Sequence, residues 1–275
     1  MIFDIRTPDS AYDFILDFLG ITGETFVMKY CEECKSNIDA FIDEYYNEIE
    51  DKDISGLKIM AFHILGSLDN CQEIKRNGLI NLQKVLSRDT LLHQLLLKAG
   101  VDFDINRRIV KYEGVEYDID YERYREEHFL SPEEVILKDI GYRVYYDFCV
   151  NGFLYNDNAK NYGTDIHERP EFFNRLTDVF PAAKTLENYW KSNSVGYCID
   201  FYATPEQIHE FTYGIDLKNI SEYDMQFIDL KMELKKWMLS LACSRTLNQC
   251  EMKCLYIKED TDIPSSQIVS ISKLK

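Results

Sequence analysis

The chain has few residues of the kinds that define several protein classes. Six prolines and twelve glycines in 275 residues exclude a collagen-like or low-complexity chain, which needs far more of both. No stretch reaches the roughly 18 uninterrupted apolar residues of a membrane-spanning helix, so the sequence predicts no membrane partner. The N-terminus lacks a basic region followed by an apolar one, and we therefore expect a cytoplasmic protein.

Positive charge is also scarce in this sequence. Lysine and arginine total 31 against 48 aspartates and glutamates, which gives a formal net charge of −17. This balance works against long-range attraction to nucleic acid or to an anionic membrane. Two common nucleotide-binding fingerprints are missing as well, since neither a Gly-x-Gly-x-x-Gly loop nor a Walker lysine loop occurs.

The apolar residues that are present predict a folded α+β protein. With 45% apolar and 13% aromatic residues, a chain of this length can bury a sizeable core. Residues 10–20 and 32–51 carry helical patterns, the first opening on a capping Ser10, but they hold too few apolar residues for a core of their own. We therefore predict an N-terminal helical layer over residues 1–52 and an α+β domain over residues 53–275.

Eight cysteines without a secretory signal predict free thiols rather than a disulfide framework. The pairs Cys31/Cys34 and Cys250/Cys254 could together form a four-thiolate zinc site. If the second pair lies in a strand, however, its two sulfurs are far apart along one face. We predict no bound metal, and a zinc-stabilised interaction module is the alternative.

The stretch from residue 56 to residue 88 carries the most informative local pattern. The apolar run at 57–62 predicts a strand that ends at His63, followed by a turn at Gly66-Ser67. A helix over 69–75 follows, and Asn77-Gly78 supplies its left-handed stop.

Later patterns alternate between strand and helix signals. They predict two short helices over 81–98 closed by Gly100, a β-hairpin around Glu113-Gly114, a helix capped by Ser131, a strand stretch over 141–155, a strand over 194–203, a helix over 222–245 and strands from 249 onward.

The unit of strand, His63, helix and Gly78-Leu79 resembles the opening of the ADP-ribosyltransferase fold, as found in its bacterial toxin and defence branch. In that family the histidine hydrogen-bonds a ribose hydroxyl of NAD, and backbone groups just after it hold the nicotinamide amide. The usual small residue two positions after the histidine is Leu65 here. The resemblance therefore assigns its role to the neighbouring Gly66 and Ser67.

Two further stretches are similar to the histidine-tyrosine-glutamate class of this family. Gly152-Phe-Leu-Tyr155 followed by Tyr162-Gly163 resembles the segment whose tyrosine stacks on the nicotinamide ring. Glu251, with alternating apolar residues after it and then Ile263-Pro264, resembles the final strands, where a glutamate at the start of a strand binds the nicotinamide-ribose 2′-hydroxyl. Insertions at 89–140 and 164–193 would absorb the long spacing between His63 and Glu251.

The resemblance implies a split antiparallel sheet core with N-terminal and inserted helices. NAD would be the substrate, cleaved by hydrolysis or by transfer of ADP-ribose to a macromolecular acceptor, protein or nucleic acid, in a toxin or phage-defence role. Glu251 and Tyr155 would be catalytic, and His63, Gly66, Ser67, Tyr155 and Tyr162 would bind NAD.

The residues themselves leave a rival open, a non-catalytic binding or regulatory protein on the same fold. In that case His63 is a structural histidine, Tyr155 a core strand residue and Glu251 a solvated glutamate. The loop at 163–170, which carries Arg169, either holds substrate phosphates or faces water. A hydrolase cannot be argued, because no serine or cysteine nucleophile can be paired with a histidine from the sequence.

Overall fold

Helices and mainly antiparallel strands make up the chain, which confirms the α+β class. The computed structural model describes residues 1–127, 129–163 and 165–274, without the side chains of Asn161, Lys218 and Glu222. The strands are β1 (Ile2–Phe3), β2 (Lys58–Ser67), β3 (Val101–Asp104), β4 (Ile109–Tyr112), β5 (Val115–Asp118), β6 (Asn151–Tyr155), β7 (Val195–Ala203), β8 (Lys253–Tyr256) and β9 (Ile268–Lys273).

The helices vary from one turn to almost five turns in length. They are α1 (Pro8–Leu19), α2 (Gly23–Phe26), α3 (Ile38–Glu44), α4 (Tyr46–Asp51), α5 (Gln72–Asn77), α6 (Leu82–Ser87), α7 (Leu91–Lys98), α8 (Tyr121–Glu126), α9 (Pro132–Tyr145), α10 (Phe173–Val179), α11 (Pro181–Asn193), α12 (Glu222–Met225) and α13 (Leu230–Thr246). Within the described ranges, no helix combines the length and the apolar character needed to cross a membrane.

The chain divides into two compact units, and β2 contributes to both. The first unit is built from Met1–Phe62, Asn151–Asp157 and Tyr202–Tyr256. The second unit is built from His63–Val150, Asn158–Phe201 and Ile257–Lys275. The N-terminal residues thus form one compact unit together with two later segments of the chain.

In the first unit, three strands follow one another in the order β8-β6-β2. Phe62 of β2 pairs with Phe153 of β6, and Tyr155 of β6 pairs with Lys253 of β8, in antiparallel register. The short β1 pairs with the beginning of β2 in parallel. Aromatic rings fill the core beside these strands, with ring centroids 4.9 to 5.9 Å apart in the contacts Phe3–Phe14, Phe14–Phe18, Phe26–Tyr30, Phe26–Phe41, Tyr30–Phe41 and Phe41–Tyr45.

Two N-terminal expectations need correction. Helix α1 begins earlier than predicted, because Thr7 is its N-cap and Ser10, the third helical residue, completes the capping box. The single helix expected over 32–51 is instead the end of a π-helical segment, Val27–Glu33, followed by α3 and α4. Asn37 starts α3 anew, since its side-chain oxygen accepts hydrogen bonds from the first-turn backbone.

The long helix predicted over 222–245 is also divided. Helix α12 ends at Met225, and α13 begins after Asp229, whose carboxylate accepts the Lys231 and Met232 N–H groups at 2.9 and 3.2 Å. An aspartate that can satisfy these donors makes a new helix start there more stable than a continuous helix. The amphipathic pattern was therefore correct for α13 and wrong for the segment before it.

In the second unit, β2 lies beside β7 and β7 beside β9. A separate antiparallel sheet with the order β3-β4-β5 contains the predicted hairpin, which is confirmed. The core between this sheet and its helices is formed by buried side chains that include Leu86, Leu96, Val101, Val110, Ile119, Ile140, Phe173, Leu176, Phe180 and Trp190.

Residues 141–145 have a composition typical of a strand but lie in helix α9. Of the strand predicted over 141–155, only the part that forms β6, Asn151–Tyr155, is confirmed. Ser131 caps α9 through a capping box, as predicted, and α9 continues to Tyr145. Ile140 and Val144 are buried on its inner face, and a Cβ at Gly141 would lie 2.1 Å from the Ile119 carbonyl oxygen. Packing of this face outweighs the β-propensity of the side chains.

Candidate functional site

Strand β2 is longer than predicted and places His63 in its interior. The strand runs to Ser67, so His63 does not end it, and Gly66 and Ser67 are strand residues rather than a turn. His63 is half-buried and is the first residue of the second unit. The predicted position of the histidine at a strand end was therefore wrong. The helix that follows β2 is present, but it spans Gln72–Asn77 rather than 69–75.

The extension of β2 has a physical cause in a distant loop. The Gly66 N–H donates to the Ile166 carbonyl at 3.1 Å, and the Trp190 indole N–H donates to the Gly66 carbonyl at 3.0 Å. A Cβ at residue 66 would lie 2.6 Å from the Glu168 backbone, so only glycine permits this approach. Both backbone polar groups of Gly66 thus already have partners within the protein.

The hydroxyl of Ser67 organises the turn into α5. It donates to the Asp69 carboxylate at 2.8 Å and accepts the backbone N–H groups of Asp69 and Cys71 at 3.3 and 2.8 Å. Since a hydroxyl offers one donor and two acceptor positions, these bonds use its full capacity. A ligand bound by Ser67 would have to replace one of them. That Gly66 and Ser67 bind NAD stays a prediction.

The Gly78-Leu79 pair is joined directly to the Ile263-Pro264 segment within the second unit. Leu79 and Ile263 exchange two backbone hydrogen bonds, of 2.8 and 2.9 Å. Gly78 has φ 76°, and a Cβ there would lie 2.0 Å from the Ile263 carbonyl oxygen. The structure thus brings together two sequence segments that the family resemblance singled out separately.

Two side-chain contacts strengthen the same connection. The Asn81 amide donates to the Glu259 carbonyl at 3.0 Å, and the Lys84 ammonium lies 2.8 Å from the Asp262 carboxylate. The start of α6 is thereby fixed to the turn that precedes Ile263. The positive charge of Lys84 is consequently paired with an aspartate.

Tyr155 lies at the end of β6 in the first unit, and its ring is covered on one face by an arginine. The Arg245 guanidinium carbon is 4.0 Å from the centre of the Tyr155 ring, a cation–π contact. Arg245 is buried in the last turn of α13, where its Nε donates to the Ile5 carbonyl at 3.0 Å. Sequence reasoning missed this arginine, and its position at the end of an apolar helix stripe was the one available signal.

Glu251 is an exposed residue of the first unit that precedes β8 by two positions. The predicted strand from 249 was too long, so Glu251 lies before the strand rather than in it. Lys253, two residues later, is the strand partner of Tyr155. The Glu251 carboxylate makes no hydrogen bond or ion pair with any residue that the structure describes. Tyr155 and the Glu251 segment are thus neighbours in one unit, and convergence with His63 stays a prediction.

Tyr162, the other predicted NAD-binding tyrosine, belongs to the second unit. Its side chain is 39% exposed, and its N–H donates to the Ala159 carbonyl at 3.2 Å. It follows a short 3-10 helix, Ala159–Asn161, rather than a strand. The next loop, at 163–170, includes Thr164, which lies outside the described residues. A role for Tyr162 in NAD binding stays a prediction.

Arg169 in that loop is buried, so neither reading of the loop, holding phosphates or facing water, describes its side chain. Its side chain is 5% exposed and pairs with Glu187, itself 4% exposed, at 2.6 Å. The Nε–H does not point at the carboxylate, so the contact is an ion pair rather than an aligned hydrogen bond. Lys184 also contacts Glu187, at 2.7 Å. Arg169 is therefore a structural cation rather than a phosphate ligand.

The electrostatics of Glu187 follow from this surrounding charge. Burial alone would raise the pKa of the Glu187 carboxyl, but the hydrogen bond from Lys184 and the charge of Arg169 lower it below its ordinary value. The carboxylate is thus ionised at neutral pH and compensates the buried guanidinium.

No disulfide links the eight cysteines, all of which lie in the described ranges, and two of them are deeply buried. All eight are free, with Cys71 and Cys243 buried. Burial raises the pKa of both of these thiols. In the part of the chain that the structure describes, no three His, Cys, Asp or Glu side chains form a group that could hold a metal ion.

A polar cavity of about 470 Å³ lies in the second unit, and none of the predicted site residues lines it. Its wall mixes opposite charges and includes Lys84, His93, Asp102, Asp104 and Lys111. The His93 ring already contacts the Arg88 carbonyl at 2.6 Å. This lining does not select one ligand chemistry.

Comparison with known proteins identified no relative of this chain. No protein-family model matches the chain, and neither the curated proteins nor the solved structures contain a match.

Proposed function

We propose that this protein consumes NAD, as an ADP-ribosyltransferase acting on a protein or nucleic-acid acceptor or as an NAD glycohydrolase. The observation that carries the proposal is the two-bond bridge between Leu79 and Ile263. It joins the segment after the histidine to the segment after the glutamate, as expected if both belong to one ADP-ribosyltransferase-like core. A role as a toxin or in phage defence follows from the resemblance alone.

The pairing of β6 with β8 supports the proposal independently. These strands carry the tyrosine and follow the glutamate of the resemblance, and Tyr155 pairs with Lys253. Glu251 is exposed and has no partner among the described residues, so its carboxylate is available to a ribose hydroxyl. A glutamate held in an unrelated ion pair would have argued against a catalytic role.

The proposed chemistry gives each residue a separate task. Breaking the bond between ribose and nicotinamide develops oxocarbenium-like positive charge at the anomeric carbon, which a nearby carboxylate stabilises. Glu251 supplies this carboxylate and helps the acceptor or water attack. Tyr155 stacks on the leaving nicotinamide, and His63 holds the ribose. NAD is thus a substrate rather than a resident cofactor.

Release of nicotinamide from NAD tests the proposal. We expect the purified protein to release it, alone or with cell extract, DNA or RNA as an acceptor source. Glu251→Gln keeps the size and one hydrogen-bond acceptor but removes the charge, so the rate should fall by roughly 10²–10³. His63→Ala should act mainly on KM, because its hydrogen bond forms in both ground and transition states.

Glu116→Gln is the matched control, since Glu116 is a surface carboxylate of the separate β3-β4-β5 sheet. This variant should keep the wild-type rate. If the wild-type protein neither binds nor consumes NAD under any of these conditions, the non-catalytic rival is the better account. The internal hydrogen bonds of Gly66 and Ser67 are the observation that favours that rival.

A further inference from the structure

Arg245 is a buried cation whose guanidinium is held by neutral oxygen atoms. It is 9% exposed, and its guanidinium donates to the carbonyls of Ile5 and Arg6 at 3.0 and 3.1 Å and to the Asn248 side chain at 3.2 Å. No described carboxylate pairs with it, although the chain carries 48 acidic residues. Because burying a charge is costly unless it is compensated, this position calls for an explanation.

The three neutral acceptors fix the guanidinium plane and leave its charge uncancelled. That charge lies 4.0 Å from the centre of the Tyr155 ring, where it is attracted by the electron-rich ring face. Tyr155 is half-buried, and its hydroxyl bonds to no residue in the described ranges. One face of the ring is therefore occupied by a cation, and a second ring can stack only on the other face.

We propose that Arg245 is a positioning residue that makes Tyr155 favour neutral nicotinamide over the cationic nicotinamide ring of intact NAD. The inference rests on the proposed function. When the glycosidic bond breaks, its electron pair moves to the ring nitrogen, so the ring becomes neutral and positive charge develops on the ribose. Repulsion between Arg245 and the stacked ring is therefore relieved as the bond breaks.

Such a device acts on the transition state more than on substrate binding. Repulsion from Arg245 weakens the binding of NAD and favours departure of nicotinamide, which raises kcat and also raises KM. Loss of the charge should accordingly change the two parameters in a way that loss of packing alone does not. A misfolded site would lower kcat and weaken NAD and nicotinamide together.

The test compares Arg245→Met, which removes the charge, with Arg245→Lys, which keeps it. For Arg245→Met we expect kcat to fall by roughly tenfold, KM for NAD to stay or fall, and product inhibition by nicotinamide to weaken. Arg245→Lys should retain most of kcat. In a Tyr155→Leu background, Arg245→Met should have little additional effect, because the ring that transmits the charge is absent.

Lys58→Met is the control, since Lys58 lies 4.6 Å from the centre of the Tyr202 ring in the same unit and should leave all kinetic constants unchanged. Thermal unfolding of each variant identifies loss of structure. Two results would overturn this inference while leaving the proposed function in place. In the first, the wild-type protein releases nicotinamide but Arg245→Met leaves the ratio of nicotinamide affinity to NAD affinity unchanged. In the second, both Arg245 variants lose activity in parallel with thermal stability. If the wild-type protein does not act on NAD, the proposed function and this inference fall together.

Discussion

Replacing Glu187 by glutamine is expected to destabilise the protein strongly, because it leaves the Arg169 guanidinium buried without its counter-charge. The two side chains are 4% and 5% exposed and 2.6 Å apart. At an effective dielectric constant near 20 their attraction is about 6 kcal/mol, part of which offsets the cost of removing both ions from water. Removing one partner of such a pair typically costs about 3–5 kcal/mol.

Urea denaturation measures this loss. With a slope of about 3 kcal/mol/M for a chain of this size, the unfolding midpoint should fall by about 1 M or more. Glu116→Gln is the control, since Glu116 pairs with Arg107 at 2.7 Å but both side chains are about half exposed, and it should leave the midpoint unchanged. Replacing both buried partners, in Arg169→Met with Glu187→Leu, should recover much of the stability, because no buried charge remains.

The pH dependence gives a second test of the same pair. The pKa of Glu187 is lowered in the folded protein relative to an ordinary value of 4.5, so its contribution to stability is present above pH 4.5 and is lost as the pH falls through the folded pKa. Glu187→Gln should remove this part of the acid destabilisation. A midpoint shift below about 0.3 M, or an unchanged acid profile, would refute the assignment of Arg169 and Glu187 as a buried structural pair.

Two other residues give sharp predictions. Gly78→Ala should lower the free energy of unfolding, measured by urea denaturation, by about 3 kcal/mol or more, because it combines φ 76° with a Cβ 2.0 Å from the Ile263 oxygen. Gly20→Ala, at φ 68° with no neighbouring atom within 4 Å, should lower it by only about 1 kcal/mol. Equal losses in the two variants would contradict the close approach at Gly78. Alkylation of the native protein at pH 8 should leave Cys243 unmodified, because it is fully buried and burial raises the pKa of its thiol; peptide mapping that finds it labelled as fast as the half-buried Cys31 would contradict this.

Features determined by a few adjacent residues were predictable from the sequence. The stops at Gly78 and Gly100 have φ 76° in each case, and the Ser131 cap and the hairpin at Glu113-Gly114 are where the sequence placed them. Each depends on a backbone conformation or capping bond that the residue type at that position permits, such as the positive φ that glycine adopts because it lacks a Cβ. At these positions the tertiary structure agrees with the local preference.

Features determined by distant partners were not predictable. Strand β2 continues through Gly66 because Ile166 and Trp190 hydrogen-bond its backbone, and no local pattern indicates those partners. Residues 141–145 have strand-like composition, but tertiary packing keeps them helical. In the candidate site, the resemblance identified Tyr155, whereas the arginine that covers its ring lies 90 positions later in the chain.

Trp190, which hydrogen-bonds to Gly66, is also an intrinsic fluorescent probe. The chain has two tryptophans, and Trp190 belongs to the second unit while Trp237 belongs to the first. Each unit thus carries its own intrinsic fluorophore, one hydrogen-bonded to β2 and the other 6.0 Å from the Phe3 ring. Replacing either tryptophan by phenylalanine would leave a single tryptophan, whose fluorescence reports loss of structure in its own unit. Coincident unfolding transitions in the two variants would mean that both units unfold as one cooperative system.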